Sequence, residues 1–256
     1  MKAGGQDTSD VTISIVTYNS RAVIGECLST LPVGAQVLVY DNASSDNTVS
    51  FIRQYYPDVA VVEGEENLGF GRAHNRILSS IDTPFALILN PDCYVTGSAI
   101  ALMLHAIRLA PDVALVGPAG TLETPDRDVS AVECTEVEVL SGACLLMRLS
   151  AFGSHLFDEN LFLFYEDTDL CLRARSAGWR LLLEPRAVVA HSPGESSPRS
   201  FLMSQKRSLH LGWSETYFRC KHSDGRSNAE IISQVVFRHV LKGLQRLLRL
   251  SPKALE

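Results

Sequence analysis

The sequence predicts an α/β fold with a mainly parallel central sheet flanked by helices, followed by a helical C-terminal tail. Three observations predict it. Short β-branched apolar runs alternate with helical patterns through the first half. Several runs end in polar turns, such as Asp41-Asn42-Ala43-Ser44-Ser45-Asp46 after Gln36–Tyr40. From Phe201 onward the pattern is helical only.

The elements follow in order. Val11 to Tyr18 reads as a strand and Ala22 to Leu31 as a helix. Gln36 to Tyr40 is a second strand, and the helix after it stops at Pro57. Val59 to Glu63 is a third strand, Leu68 to Ser80 a helix, and Pro84 to Leu89 a buried strand. Repeated β-α-β units imply parallel pairing with helices on both faces, and ligands bind beyond the carboxyl ends of such strands. Gly97 to Ala110 reads as a helix, Val113 to Val116 as a strand, and Thr121 to Glu138 as a loop. Ser141 to Arg148 is a strand, and Glu166 to Ala177 a helix with Gly178 as its C-terminal stop. Two strands near Arg180–Leu183 and Ala187–Ala190 lead into a loop over His191 to Arg199. The expected organisation is a flexible start over 1–10, one α/β domain over 11–200 and a helical extension over 201–256.

The 256 residues suffice for one domain with a real core. The net charge of −6 argues against a nucleic-acid partner, which needs a broad basic field. Six scattered cysteines form no C-x-x-C pair and mostly sit in apolar runs. They read as small buried hydrophobes in a reducing compartment, with no zinc site. No apolar run approaches a bilayer span, so a cytoplasmic protein is expected.

Five segments carry groups with chemistry. Asp41 ends the second strand, where a carboxylate accepts from a pyrimidine imide N–H or closes an Asx turn; Asp46 reads as a cap for the next helix. Asn67-Leu68-Gly69-Phe70-Gly71-Arg72-Ala73-His74-Asn75 leads into a helix, where free N–H groups and Arg72 suit a pyrophosphate or simply make a turn. Asp92, in Leu89-Asn90-Pro91-Asp92, suits a magnesium or manganese ion carried by a diphosphate, or a plain strand-ending turn. Glu166, Asp167 and Asp169 crowd the start of a helix behind aromatic residues, where partial burial makes a carboxylate a better base and where acids also suit the helix dipole. His191 ends a β run and is either a metal ligand or structural.

In this order the segments resemble the family-2 glycosyltransferases of GT-A fold, with a Rossmann-like sheet. They are most similar to the bacterial rhamnosyltransferase-like branch, over about residues 11 to 195. The similar motifs are Ser14-Ile15-Val16-Thr17-Tyr18-Asn19, Asn67-Leu68-Gly69-Phe70-Gly71, Leu89-Asn90-Pro91-Asp92 and Glu166 through Trp179. The resemblance implies an inverting transfer of a sugar, with rhamnose the first choice, from a nucleotide-diphosphate donor. The donor is dTDP-rhamnose or a UDP-sugar, and the acceptor a saccharide or lipid-linked saccharide of cell-surface polysaccharide synthesis. It implies donor binding by Thr17, Tyr18, Asn19, Asp41, Asn67, Gly69, Arg72, Asn90 and Asp92. A divalent cation, Mn or Mg, would sit on Asp92 and His191. Asp167 would be the catalytic base, with Glu166 and Asp169 supporting the acceptor. Asn90 replaces the first Asp of the family's Asp-x-Asp pattern, as it does in that branch.

Ile232, Val236, Val240, Leu244 and Leu247 follow helical spacing, with Arg238, Lys242, Arg246 and Arg249 opposite. Such a helix suits packing on the domain, a homodimer contact, or an anionic membrane surface. Competing functions fit less well. A sugar nucleotidylyltransferase would carry a Gly-rich basic loop where Thr17-Tyr18-Asn19-Ser20-Arg21 stands. A dehydrogenase would carry G-x-G-x-x-G after the first strand. A non-catalytic sugar-nucleotide binder would not need Asp92, Asp167 and His191 together.

Overall fold

The computed structural model describes residues 8–120, 133–154, 156–191, 201–223 and 227–238, with the backbone alone at 191 and 201–204. Its first half is the expected β-α-β series. β1 (Val11–Thr17), β2 (Gln36–Asp41), β3 (Ala60–Glu63) and β4 (Phe85–Leu89) pair in parallel in the order β3-β2-β1-β4. The crossovers contain α1 (Ile24–Thr30), α2 (Thr48–Tyr55) and α3 (Phe70–Leu78). β4 shows why its sequence is apolar throughout. Side chains alternate across a strand, so Phe85, Leu87 and Leu89 enter one core cluster while Ala86 and Ile88 enter another on the opposite face.

The second half departs from parallel order. β5 (Cys93–Val95), too short to show a period, follows the Asn90-Pro91-Asp92 turn; α4 (Gly97–Leu109) and β6 (Val113–Gly120) come next. The Thr121–Glu138 stretch, read as a loop, contains a two-residue strand, β7 (Thr135–Glu136), while 121–132 lie outside the described residues. β8 (Cys144–Arg148) runs antiparallel between β4 and β6. The helix α5 (Glu166–Ser176) ends as expected at Gly178, whose φ is 87°. The two strands read at 180–183 and 187–190 form one strand, β9 (Arg180–His191). Its register with β6 shifts around Pro185, which has no N–H for the ladder; there the Glu184 carboxylate accepts from the Arg186 amide at 3.0 Å. β9 pairs parallel with β6 and antiparallel with β5 and β7, so the whole sheet is mixed.

The C-terminal region is not one continuous helix. α6 (Phe201–Lys221) is followed by a break and a second helix over residues 228–238. That second helix buries Ile231 and Val235 and leaves Ile232 and Val236 exposed, the reverse of a simple reading of the apolar stripe. Arg238, expected on a solvated face, reaches Glu215 of α6. The rest of the basic helix, from residue 239, lies outside the described residues. No helix among the described residues is long and apolar enough to cross a membrane.

Candidate active site

The carboxyl ends of β1, β2 and β4 open into a cleft of about 710 Å³. Its floor includes Tyr18, Asn42, Asn90 and Asp92; its far wall is Phe162 to Asp167 and Ser141 to Ala143; and α6 closes one side with Lys206, Arg207 and His210. This is where an open α/β sheet offers a ligand site.

Asp167 sits in the first turn of α5 and lines the cleft. One carboxylate oxygen accepts from the Gly142 amide at 2.9 Å, the other from the Thr168 amide at 2.7 Å. A side chain at Gly142 would press on Asp167 Cβ and the Phe70 ring, each 3.3 Å from its Cβ position. Glycine therefore lets this backbone approach the carboxylate. Directly before the acids, Phe164 and Tyr165 hold φ of 73° and 69°, a left-handed conformation that costs a non-glycine residue about 1–3 kcal/mol.

Glu166 is buried beside Asp167, with Oε1 lacking a hydrogen bond among the described residues. Burial, with a smaller contribution from the Asp167 charge, pushes its carboxyl up to about 8. At neutral pH it is mainly protonated.

The Asn67–Asn75 run seats the wall opposite it. The Asn42 side chain accepts from the Leu68 amide and donates to the Gly69 carbonyl, both at 3.0 Å. Phe70 N–H, first in α3, donates to the Phe162 carbonyl at 2.9 Å. Gly69 has φ 83°, and a Cβ there would lie 2.2 Å from the Phe162 oxygen. The Asn75 side-chain amide clamps Phe157, donating to its carbonyl at 2.9 Å and accepting from its N–H at 3.0 Å. His74 bonds Ser14 at 2.8 Å and packs on Phe70 and Phe157; full burial pushes its imidazole down to about 3, so it is neutral.

α6 zips along the same wall with one face. His210 stacks on Phe162 at 4.3 Å, Ser214 donates to the Leu163 carbonyl at 2.9 Å, and Phe218 packs on Tyr165 at 5.1 Å. Four-residue steps place these three side chains on one helix face. At its end, Lys221 and His222 meet the buried Asp169 at 2.6 and 2.8 Å.

Residues 12–152 match the family model described as Glycosyl transferase family 2, more than half the chain. The chain is a family-2 glycosyltransferase. It is 28% identical to the N-acetylglucosaminyl-diphospho-decaprenol L-rhamnosyltransferase of Mycobacterium tuberculosis, over 80% of this chain and 87% of that protein. It is 26% identical to the rhamnosyltransferase WbbL of Escherichia coli, over 88% and 98% respectively. In fold it is similar to the mannosyltransferase PcManGT of Pyrobaculum calidifontis, solved with GDP-Man and Mn2+ (TM-score 0.64, 17% identity, 88% of this chain and 68% of that one). It is also similar to S. aureus TarS 1–349 in complex with UDP-GlcNAc (TM-score 0.58, 17% identity, 95% and 76%). The fold is GT-A, and the activity class is sugar transfer in glycan synthesis.

Within this glycosyltransferase the candidate residues divide. Tyr18, Asn67, Gly69, Asn90, Asp92, Glu166 and Asp167 line the cleft. Asp41 does not: it is buried and accepts from Thr17 Oγ1 at 2.8 Å, Ser44 N at 2.7 Å and Ser44 Oγ at 2.6 Å, closing the Asx turn. Asn19 ties the same turn, donating from its amide to Ser44 Oγ at 2.7 Å and accepting from Ser45 N at 2.8 Å. Asp46 accepts from the Thr48 amide at 3.2 Å, as a residue serving the start of α2 should.

Two expectations need correction. Arg72 points out of the cleft toward Glu159, 3.7 Å away, because it falls on the solvent face of α3. The pyrophosphate reading of that helix start also loses its first N–H to Phe162. Asp169 does not line the cleft. About 200° of helical rotation separates it from Asp167 and turns it toward α6, where Arg173, Lys221 and His222 surround it. Burial raises its carboxyl, but these hydrogen bonds outweigh burial and hold it below the usual range.

Sequence reasoning missed Asn42, Gly142 and the basic residues of α6. Asn42 stands in the strand-end turn after β2, and Gly142 in a stretch that reads as strand. Lys206 and Arg207 lay in a tail with no motif.

For a metal, the fit rests on Asp92. Its carboxylate is buried at the cleft floor, and strand register pairs Cys93, its neighbour, with His191. The His191 side chain lies outside the described residues, and no cluster of three or more ligating side chains occurs among them. A cation shared with a diphosphate needs only one or two protein carboxylates, and Asp92 is one. Four of the six cysteines, Cys27, Cys93, Cys144 and Cys171, are buried, as their apolar sequence settings suggest, and burial pushes Cys144 and Cys171 up to about 12.

Proposed function

We propose that this glycosyltransferase moves a sugar, rhamnose first among the candidates, from dTDP-rhamnose or a UDP-sugar to a hydroxyl of a saccharide or lipid-linked saccharide, with inversion. One observation carries the reading: Asp167 lines the cleft with its carboxylate oriented by the Gly142 amide, at the sequence position where the family motif puts its base. The attacking acceptor hydroxyl gives its proton to an Asp167 oxygen as its own oxygen bonds the anomeric carbon and the bond to the leaving diphosphate breaks. A single displacement of this kind inverts the centre, and no enzyme nucleophile takes part.

Asp92 would hold a divalent cation with the diphosphate, together with His191. Such a cation supplies charge stabilisation for the leaving group. Tyr18, Asn67 and Asn90 would shape the donor site, and Asp41 would act on the base through the turn it closes with Thr17 and Asn19. Neutral Glu166 would donate a hydrogen bond to a sugar hydroxyl.

The lipid-linked acceptor draws on the names of the mycobacterial relatives and on the outward-facing Ile232, Val236 and Phe237 of the last described helix. An apolar face followed by a basic segment suits the surface of an anionic membrane. The helical extension would begin at residue 201, its first helix α6 also completing the cleft of the α/β domain over 11–200.

The test is a transfer assay with dTDP-rhamnose and UDP-sugars against a short-chain lipid-linked saccharide, with the product's anomeric configuration read by NMR. Retention of configuration, or donor hydrolysis that no acceptor accelerates, would overturn the reading.

A further inference from the structure

Diphosphate recognition loses its expected arginine and one expected N–H in this fold. Arg72 faces Glu159, and the first N–H of α3 belongs to Phe162. The described cleft instead receives its cations from α6: Lys206 and Arg207 are the only lysine and arginine among the residues that line it. No ion pair joins either to another described residue. Their place is set by the helix they stand on. Arg207 precedes His210 by three residues and so shares the face that stacks on Phe162, and the anchor at Asp169 fixes the other end of α6. Within the same cleft, Asp92 and Asp167 are acids on separate elements. A diphosphate whose cation rests on Asp92 still carries negative charge, and the side-chain cations that can meet it within this cleft stand on α6.

We propose that Lys206 and Arg207 form a binding site for a diphosphate group. A guanidinium matches phosphate oxygens with paired N–H donors, and an ammonium adds a point charge beside it. The inference rests on the transfer reading above, which offers two sources of that chemistry: the diphosphate of the nucleotide donor and the diphosphate of a lipid-linked acceptor.

Calorimetric titration of the full chain with manganese present separates them. The probes are dTDP, UDP, thymidine and geranyl diphosphate, against the wild type, the Lys206→Gln/Arg207→Gln double variant and Arg207→Lys. Loss of a charge-assisted contact should weaken diphosphate binding about tenfold or more, while thymidine affinity stays unchanged. A loss confined to dTDP and UDP assigns the site to the donor. A loss confined to geranyl diphosphate assigns it to the acceptor. Arg207→Lys should retain part of the affinity, which a purely structural role for the guanidinium would not predict. Equal binding of all the diphosphates by wild type and double variant overturns the site while leaving the transfer reading intact. Failure of the wild type to bind either nucleoside diphosphate overturns the proposed donors instead.

Discussion

The Gly142 amide donates to the Asp167 carboxylate at 2.9 Å, tying the first turn of α5 to the loop that leads into β8. The bond orients one oxygen of the proposed base. It also makes the catalytic geometry depend on a residue with no side chain. Asp167→Asn should lower turnover about 10²–10⁴-fold at saturating donor, the usual cost of losing a general base. Donor affinity by calorimetry should hold, since the base touches the acceptor. Near wild-type turnover in Asp167→Asn, with Glu166→Gln inactive, would move the base from Asp167 to Glu166.

Asp92→Asn should weaken donor binding in manganese and leave the thermal midpoint near the wild type. Adding excess chelator to the wild type should reproduce the effect, because a diphosphate left without its cation loses its attachment to the carboxylate. Undiminished donor affinity in chelator would remove the metal from the proposal.

Gly69→Ala should destabilise the protein. A φ of 83° with ψ of −164° is backbone that only glycine adopts readily, and the added Cβ would stand 2.2 Å from a carbonyl oxygen. The conformational cost alone is about 1–3 kcal/mol, and the contact adds to it. Thermal denaturation should show a lower midpoint, and the Phe162 wall should shift enough to reduce activity. An unchanged midpoint would mean that the Phe162 segment moves aside freely.

Glu166 should make stability fall with rising pH. Its carboxyl sits at about 8 in the folded chain against 4.5 ordinarily, so the native state binds more protons than the unfolded state between those values. Stability from this group is therefore fully present below pH 4.5 and is lost progressively as pH rises through 8. Glu166→Gln, which keeps a neutral hydrogen-bonding group, should raise the thermal midpoint relative to the wild type at pH 8 and change it little at pH 4.5. A constant difference across that range would show that Glu166 is charged in the fold.

Strand ends were readable where local chemistry decides them. The β4 run is apolar throughout, and β1 and β2 are largely so, because strands inside the sheet bury both faces; Asp41 and Asn90-Pro91-Asp92 stand at strand ends because a polar turn must leave the sheet there. Gly178 marked the end of α5 for an equally local reason. The mixed second half of the sheet was not readable in this way. β5 and β7 are too short to show a period, and β9 reads as two strands because Pro185 interrupts its pattern while the backbone continues.

The site divides along the same line. Sequence alone determined the parallel half of the sheet, the family and the candidate acids Asp92, Glu166 and Asp167, since these depend on short motifs and the turns that carry them. Only the tertiary structure decided which of the neighbouring groups face the cleft. Asp169 stands two residues from Asp167 yet turns to Lys221, 52 positions away, and Arg72 leaves the cleft for Glu159. Helical rotation separates adjacent side chains by about 100°, and the partner each one meets comes from a distant element that no local pattern can name.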